Sequence, residues 1–180
     1  YRRIVATVMN SSRRHTEINR GDEIGPWTVL HPAADDNFSQ ADDGALVLLG
    51  EFHGTRILLL SDLGRRGQEV LLNRSNDVRS DLVVTGLPVQ TEPVADALLE
   101  AIQPKVIIVA DSEFPATERA RPVLRERLEA HGVPVIYESK EGTVTIRVRS
   151  EAWHLQTSTG KAINGHGSTT TRTESPKPSN

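Results

Sequence analysis

The stretch Thr55-Arg-Ile-Leu-Leu-Leu-Ser-Asp62-Leu-Gly64 constrains this chain more than any other. Residues 57–60 are uninterrupted aliphatics followed by Ser61. The run is far shorter than the roughly 20 residues that cross a bilayer, and too continuous for a strand with one wet face. It reads as a central β-strand buried on both faces, as in a parallel sheet covered on its two sides. Asp62 then emerges at the carboxyl end of that strand, just before a glycine turn. In α/β proteins ligands gather at this edge, because the sheet fixes the strand ends while the loops leaving them vary. Asp62 is therefore the first candidate ligand, and the question is which side chains join it.

The rest of the chain supplies the sheet. Tyr1, Ile4, Val5, Val8 and Met9 have the spacing of one face of a short helix, stopped by Asn10-Ser-Ser. Residues 16–24 and 27–31 read as two strands, the second ended by Pro32, and residues 33–43 as an acidic rim loop carrying Asp35, Asp36, Asp42 and Asp43. Residues 45–49 and 56–61 flank His53-Gly54 as a hairpin. Helices are expected at 68–73, 93–102 and 117–130, the last closed by His131-Gly132, with strands at 81–86, 106–111, 134–137 and 143–148. Strands alternating with helices imply right-handed βαβ crossovers and a largely parallel second half, an α/β fold with a mixed sheet. Residues 1–156 form one domain on this reading. Residues 157–180, rich in Ser, Thr, Gly, Pro and Asn, read as a disordered polar tail that buries too little apolar surface to offset its ordering entropy.

Composition removes several chemistries. The 180 residues include no cysteine, so thiolate ligands, thiol catalysis and disulfides are excluded and any metal must sit on His, Asp or Glu. A net charge of -3 argues against a strongly basic nucleic-acid module, and aromatics at 4% argue against a base-stacking platform. No run crosses a membrane, no signal peptide opens the chain, and the first residue is Tyr1, so the sequence reads as a segment of something longer.

Asp111 and Glu113 close a later strand and, with Asp62, could make an all-oxygen Mg²⁺ or Mn²⁺ site suited to phosphodiester chemistry; the alternative is that they are solvated or cap the following helix. The histidines His15, His53, His131, His154 and His166 lack ligand spacing to one another and read as structural or solvated, with His31 at a strand end the best of the six as a ligand. Ser61-Asp62 lacks the Gly-x-Ser-x-Gly elbow of a hydrolase nucleophile, and Gly64-Arg-Arg-Gly67 lacks the pattern of a phosphate loop. Arg65 and Arg66 beside Asp62, and Arg13-Arg14 near the start, are either phosphate contacts or plain surface charge.

The ordered series Arg20-Gly-Asp-Glu-Ile, Trp27-Thr-Val-Leu-His-Pro, Asp42-Asp-Gly-Ala-Leu-Val-Leu, Arg56-Ile-Leu-Leu-Leu-Ser-Asp-Leu, Ser80-Asp-Leu-Val-Val, Leu98-Leu-Glu-Ala-Ile-Gln-Pro-Lys-Val-Ile-Ile-Val and Leu128-Glu-Ala-His-Gly-Val-Pro-Val-Ile-Tyr resembles the C-terminal half of the metallo-β-lactamase-like domain of ComEC-type DNA-uptake proteins. The resemblance covers about residues 1 to 150. It implies half of an αββα sandwich, a first His/Asp ligand cluster upstream of Tyr1, and a metal-ligating carboxylate at Asp62. The family's next motif, His-His-Gly-Ser, is replaced by Leu87-Pro-Val-Gln90, and its later Gly-His-Pro element by Glu113-Phe-Pro115.

A hydrolytic zinc or manganese centre needs about three protein ligands around an open position, which Leu, Pro and Phe cannot supply. The expectation is thus an accessory, nuclease-derived domain with an eroded metal site, holding no cofactor in this segment, although a complete domain would take Zn or Mn. By the same resemblance it is an extracytoplasmic domain of an inner-membrane protein, with the missing N-terminal half, a membrane channel and single-stranded DNA as partners. The alternatives are a non-catalytic interaction module packed on a channel or partner, and a Mg²⁺-dependent phosphatase-like hydrolase using Asp62, Asp111 and Glu113.

Overall fold

The computed structural model describes residues 16–75, 77–115, 117 and 119–168. The helix expected over 1–9, His15 and Arg13-Arg14 lie outside the described residues, as do residues 169–180 of the expected tail.

Seven strands form one sheet whose spatial order follows the chain: β1 (Glu23–Ile24), β2 (Trp27–His31), β3 (Val47–Phe52), β4 (Thr55–Leu59), β5 (Leu82–Thr85), β6 (Val106–Val109) and β7 (Val135–Tyr137). β1 to β4 pair antiparallel, and β4 to β7 pair parallel. The parallel half is joined by α1 (Arg65–Arg74), α2 (Asp96–Ile102) and α3 (Pro122–Ala130). A short α4 (Glu138–Glu141) leads into a second, antiparallel sheet of β8 (Val144–Arg149), β9 (Ala152–Thr157) and β10 (Ala162–His166).

The two periodicities in the sequence explain the layers. Alternate residues of β4, β5 and β6 (Leu58, Val83, Ile107, Val109) face a core shared with Leu71 of α1, Leu98, Leu99 and Ile102 of α2 and Leu124 and Leu128 of α3. The intervening residues (Ile57, Leu82, Val106, Ile108), with Ile136, face Trp153 and Leu155 of β9. The central strands are buried on both faces, as the continuous aliphatic run predicts. The result is a helix layer, a large sheet and a small sheet, an α/β sandwich. Each fully buried Leu or Ile contributes on the order of 2 kcal/mol through area removed from water.

Helix ends follow local chemistry. α3 starts at Pro122, whose missing N–H costs nothing at the first helical position, rather than at the expected Thr117. Its C-terminal turn is closed by Gly132, with φ of 71°, as His131-Gly132 predicts. Arg127 clasps α3 to the loop before α2, reaching Glu92 at 2.8 Å, Asp96 at 2.6 Å and the carbonyls of Pro93 and Val94.

The expectation of disorder from residue 157 is corrected by β10. Ile163 packs on the small core, the Trp153 indole N–H donates to the His166 carbonyl at 3.3 Å, and Gly165 admits the Trp153 ring, which a Cβ there would meet at 2.2 Å. One aliphatic side chain and a glycine opposite a tryptophan suffice for a strand when a template strand already exists, a context that composition does not carry. Just after β10, Ser168 is fastened to the large sheet, its N–H and hydroxyl donating to Asp81 at 3.0 and 2.8 Å.

Candidate functional site

The carboxyl edge of the parallel strands gathers the residues singled out from sequence. After β4, Ser61 adopts a left-handed backbone, φ of 50°, and its carbonyl accepts a hydrogen bond from the Gly86 N–H at 2.6 Å. That bond ties the end of β4 to the end of β5, and a Cβ on Gly86 would lie within 3.3 Å of the Ser61 carbonyl oxygen, so glycine suits the approach. The turn presents Asp62 half-buried at the rim, its Oδ1 accepting from the Ser61 hydroxyl at 3.0 Å.

The turn continues into α1, and the first turn of that helix is already occupied by an anion of the protein. Asp43, in a single 3-10 turn over Asp42–Gly44, is buried, and its Oδ1 accepts from the backbone N–H groups of Arg66 and Gly67 at 3.1 and 3.4 Å. Gly64 and Gly67 let it in: a Cβ on Gly64 would meet Asp43 Oδ1 at 2.4 Å, and one on Gly67 would meet the Asp43 carbonyl oxygen at 2.5 Å. The orphan amides and positive dipole end that bind phosphate elsewhere are thus spent on an internal carboxylate. The spacing Gly64-Arg-Arg-Gly67 serves close packing. Asp42 completes the wedge, its Oδ2 accepting from the Val89 N–H at 2.7 Å and its carbonyl from the Gly64 N–H at 2.9 Å.

The Asp42–Asp43 wedge also fixes His31, whose Nε2 lies 2.8 Å from the Asp43 carbonyl and therefore carries the proton. Burial pushes the His31 imidazole below its ordinary pKa; the bond to Asp43 and the nearby Asp36 carboxylate oppose the shift without reversing it. His31 is 1% exposed, a buried structural residue. Asp36 beside it is held below the usual carboxylate range: burial works to raise it, and is outweighed by the Ala33 N–H at 2.9 Å and the Arg74 guanidinium at 2.7 Å.

Arg65 and Arg66 both project from the start of α1 into solvent. Arg65 lies 3.4 Å from Glu69 one turn later, an exposed pair worth about 0.3–0.5 kcal/mol. In the loop after β5, Leu87 packs on the main core, Pro88 is buried, and Val89 is 81% exposed.

Beyond β6, Asp111 faces inward. Its carboxylate accepts from the Ala120 N–H at 3.1 Å, the Ser139 N–H at 2.9 Å and hydroxyl at 2.7 Å, and Arg125 Nη2 at 3.0 Å. Arg125 also lies 4.1 Å over the ring of Tyr137, whose hydroxyl burial pushes up to about 12. Asp111 is therefore the knot joining β6, α3 and α4. Glu113 is exposed, and its carbonyl accepts from Arg119 at 2.8 Å; Phe114 is 87% exposed. The all-oxygen site of Asp62, Asp111 and Glu113 is corrected accordingly. Among the described residues no three His, Asp or Glu side chains come together to hold a metal ion, because Asp111 is turned into the fold and Glu113 into solvent. The described side chains at this edge, Asp62 alone among them turned to the rim, do not make up a zinc or manganese ligand set.

Sequence reasoning missed Asp43 and Asp81 as anchors, treating the first as rim loop. Asp81, 2% exposed at the amino end of β5, accepts from the Arg56 N–H at 2.8 Å and pairs with Lys105 at 2.7 Å. An aspartate directly before a hydrophobic strand was the available signal.

Comparison with known proteins gives a distant match. The chain is 23% identical over 138 residues to ComE operon protein 3 of Bacillus subtilis (strain 168), a stretch that is 74% of this chain and 18% of that protein. It thus spans less than a fifth of that relative. No model of a known family matches the chain. Among the described residues no helix is long and apolar enough to cross a membrane.

Proposed function

We propose that this chain is the C-terminal half of a metallo-β-lactamase-like accessory domain in a ComEC-type DNA-uptake protein, and that its metal site is eroded. The match to ComE operon protein 3 supports the affiliation, and the helix–sheet–sheet layering suits one half of an αββα sandwich. One observation carries the eroded site. Asp62 stands at the strand end where the resemblance asks for a ligand, while the downstream positions are Leu87 in the core, buried Pro88 and solvent-exposed Phe114. One carboxylate without imidazole partners holds no divalent ion tightly. On this reading the domain lies outside the cytoplasm beside a membrane channel, and the exposed Arg65 and Arg66 meet the incoming strand through its phosphates.

Titration of the chain with Zn²⁺ and Mn²⁺ tests the eroded site; no stoichiometric binding is expected. Stoichiometric metal together with phosphodiesterase activity abolished by Asp62→Ala would overturn it. The uptake role is tested by deleting residues 16–168 in a transformable host, where uptake of labelled DNA should fall, and unchanged uptake refutes it.

A second reading, a non-catalytic interaction module, is favoured by Val89 and Phe114. Both are large apolar side chains left in water on the two loops that follow β5 and β6. Under this reading the edge is a contact for a partner subunit, and Val89→Ser with Phe114→Ser should lower DNA uptake in that host without altering the stability of the domain.

A further inference from the structure

The outer face of the small sheet is built unlike the rest of the surface. On the strand register, Arg147 of β8 lies opposite His154 of β9, which lies opposite Asn164 of β10; Arg149 lies opposite Ala152, which lies opposite His166. Side chains of cross-strand partners share a face, and positions two apart on a strand share it too, so these residues form two adjacent rows on one surface. The intervening positions Val148 and Trp153 turn toward the core between the sheets. Small Ala152 between Arg149 and His166 leaves a trough. It is part of a cavity of about 420 Å³ lined by Arg147, Arg149, His154, Asn164 and His166, with the chain at 152–153 and 165 as floor. Among the described residues no acidic side chain lines it, in a protein whose net charge is -3.

The Asn164 side-chain oxygen accepts from His154 Nδ1, which leaves the Nε2 atom of that ring outside this bond. His166 is held through its backbone, its carbonyl accepting from Lys105 at 2.6 Å, which leaves its imidazole exposed.

We propose that this groove binds the sugar-phosphate backbone of single-stranded nucleic acid, without reading its sequence. The chemistry is a track of cations rather than a single pocket. Arg147 and Arg149 are two positions apart on one strand, about 7 Å, so their guanidinium groups can meet neighbouring phosphates of an extended nucleic-acid strand. Guanidinium forks match phosphate oxygens in pairs. The ring of Trp153 is turned inward, so the groove presents no tryptophan ring to the bases, and recognition rests on the backbone. An acidic peptide would meet the same charges, but its carboxylates sit on mobile side chains without a fixed spacing. The choice of a nucleic-acid strand rests on the proposed function; the anion-binding track rests on the groove alone.

Fluorescence anisotropy of a labelled oligothymidylate with the whole chain, between about 50 and about 200 mM salt, tests this. Each phosphate neutralised on a single strand adds about 0.7 to the slope of log affinity against log salt. R147A/R149A should therefore flatten the slope by about 1.4, and lower the salt sensitivity over that range by roughly sevenfold. R147K/R149K keeps the charges and should keep the slope, which separates lost charge from lost fold. R79A/R121A removes two exposed arginines elsewhere and should behave as the parent.

Absence of binding at low salt, or an equal loss in R79A/R121A, would overturn the proposal. Displacement of the oligonucleotide by polyglutamate at matched charge would overturn it too, in favour of an acidic protein partner. The outcomes stay distinct from those of the proposed function. Oligonucleotide binding with the expected slopes but unchanged DNA uptake sinks the uptake role and leaves the groove; reduced uptake with no binding sinks the groove alone.

Discussion

Replacing Asp111 should destabilise the fold strongly, because its carboxylate serves four donors from three parts of the chain. In Asp111→Ala the Arg125 guanidinium, 13% exposed and with Nη1 already lacking a hydrogen-bond partner, loses its counter-charge. Removing one member of a buried ion pair costs about 3–5 kcal/mol; the remaining access of Arg125 to water places this case near the lower end, about 3 kcal/mol. With a urea dependence of about 2 kcal/mol per molar, the unfolding midpoint should fall by roughly 1.5 M. Asp111→Asn keeps the shape and one acceptor oxygen, and should cost about 1–2 kcal/mol. Combining Asp111→Ala with Arg125→Met should cost less than the sum of the two by about 1–3 kcal/mol, since the stranded charge is removed with its partner. Additive effects, or a rise in stability on neutralising Asp111, would refute the assignment. A rise is what a carboxylate kept for ligand binding at the expense of stability would give.

Three further outcomes follow from the anchors. Gly64→Ala and Gly67→Ala each push a methyl into the Asp43 wedge and should cost about 1–3 kcal/mol, read as a drop of several degrees in the thermal midpoint. Burial works to raise the Asp81 carboxyl, but Lys105, the Arg56 N–H and Ser168 outweigh it and hold it below the usual range. Its folded pKa is the lower one, so its stabilisation is complete above the unfolded value of about 3.9 and is lost as pH falls through the folded value; Asp81→Asn should lower stability at neutral pH and flatten the acid limb of a pH–stability curve. His31 is shifted the same way, so it should contribute fully above about 6.5 and lose stabilisation below that pH, with its imidazole resonances titrating below the free-histidine value.

The architecture was legible where periodicity is strong. The run at 57–60 gave β4, the His53-Gly54 turn gave the β3–β4 hairpin, and the alternation after Gly64 gave the parallel half in the right order. β10 was not legible, because its pairing depends on Trp153, opposite Gly165 on the neighbouring strand, and its own composition is that of a loop. The candidate site was readable as positions but not as directions. The spacing of Asp62, Asp111 and Glu113 is the same whether the side chains converge or diverge; the donors that turn Asp111 inward come from residues 120, 125 and 139. The groove residues Arg147, His154 and His166 sit on three strands, and only the register sets them side by side.

The strand order of the large sheet carries a last consequence. Open α/β sheets form their ligand crevice where the winding reverses and adjacent loops part toward opposite faces. Here β4 to β7 wind in a single direction, so α1, α2 and α3 all lie on one side and the loops after β4, β5 and β6 lean the same way. The sheet contains no fork. A ligand cleft at Asp62 would therefore need its opposite wall from outside this sheet.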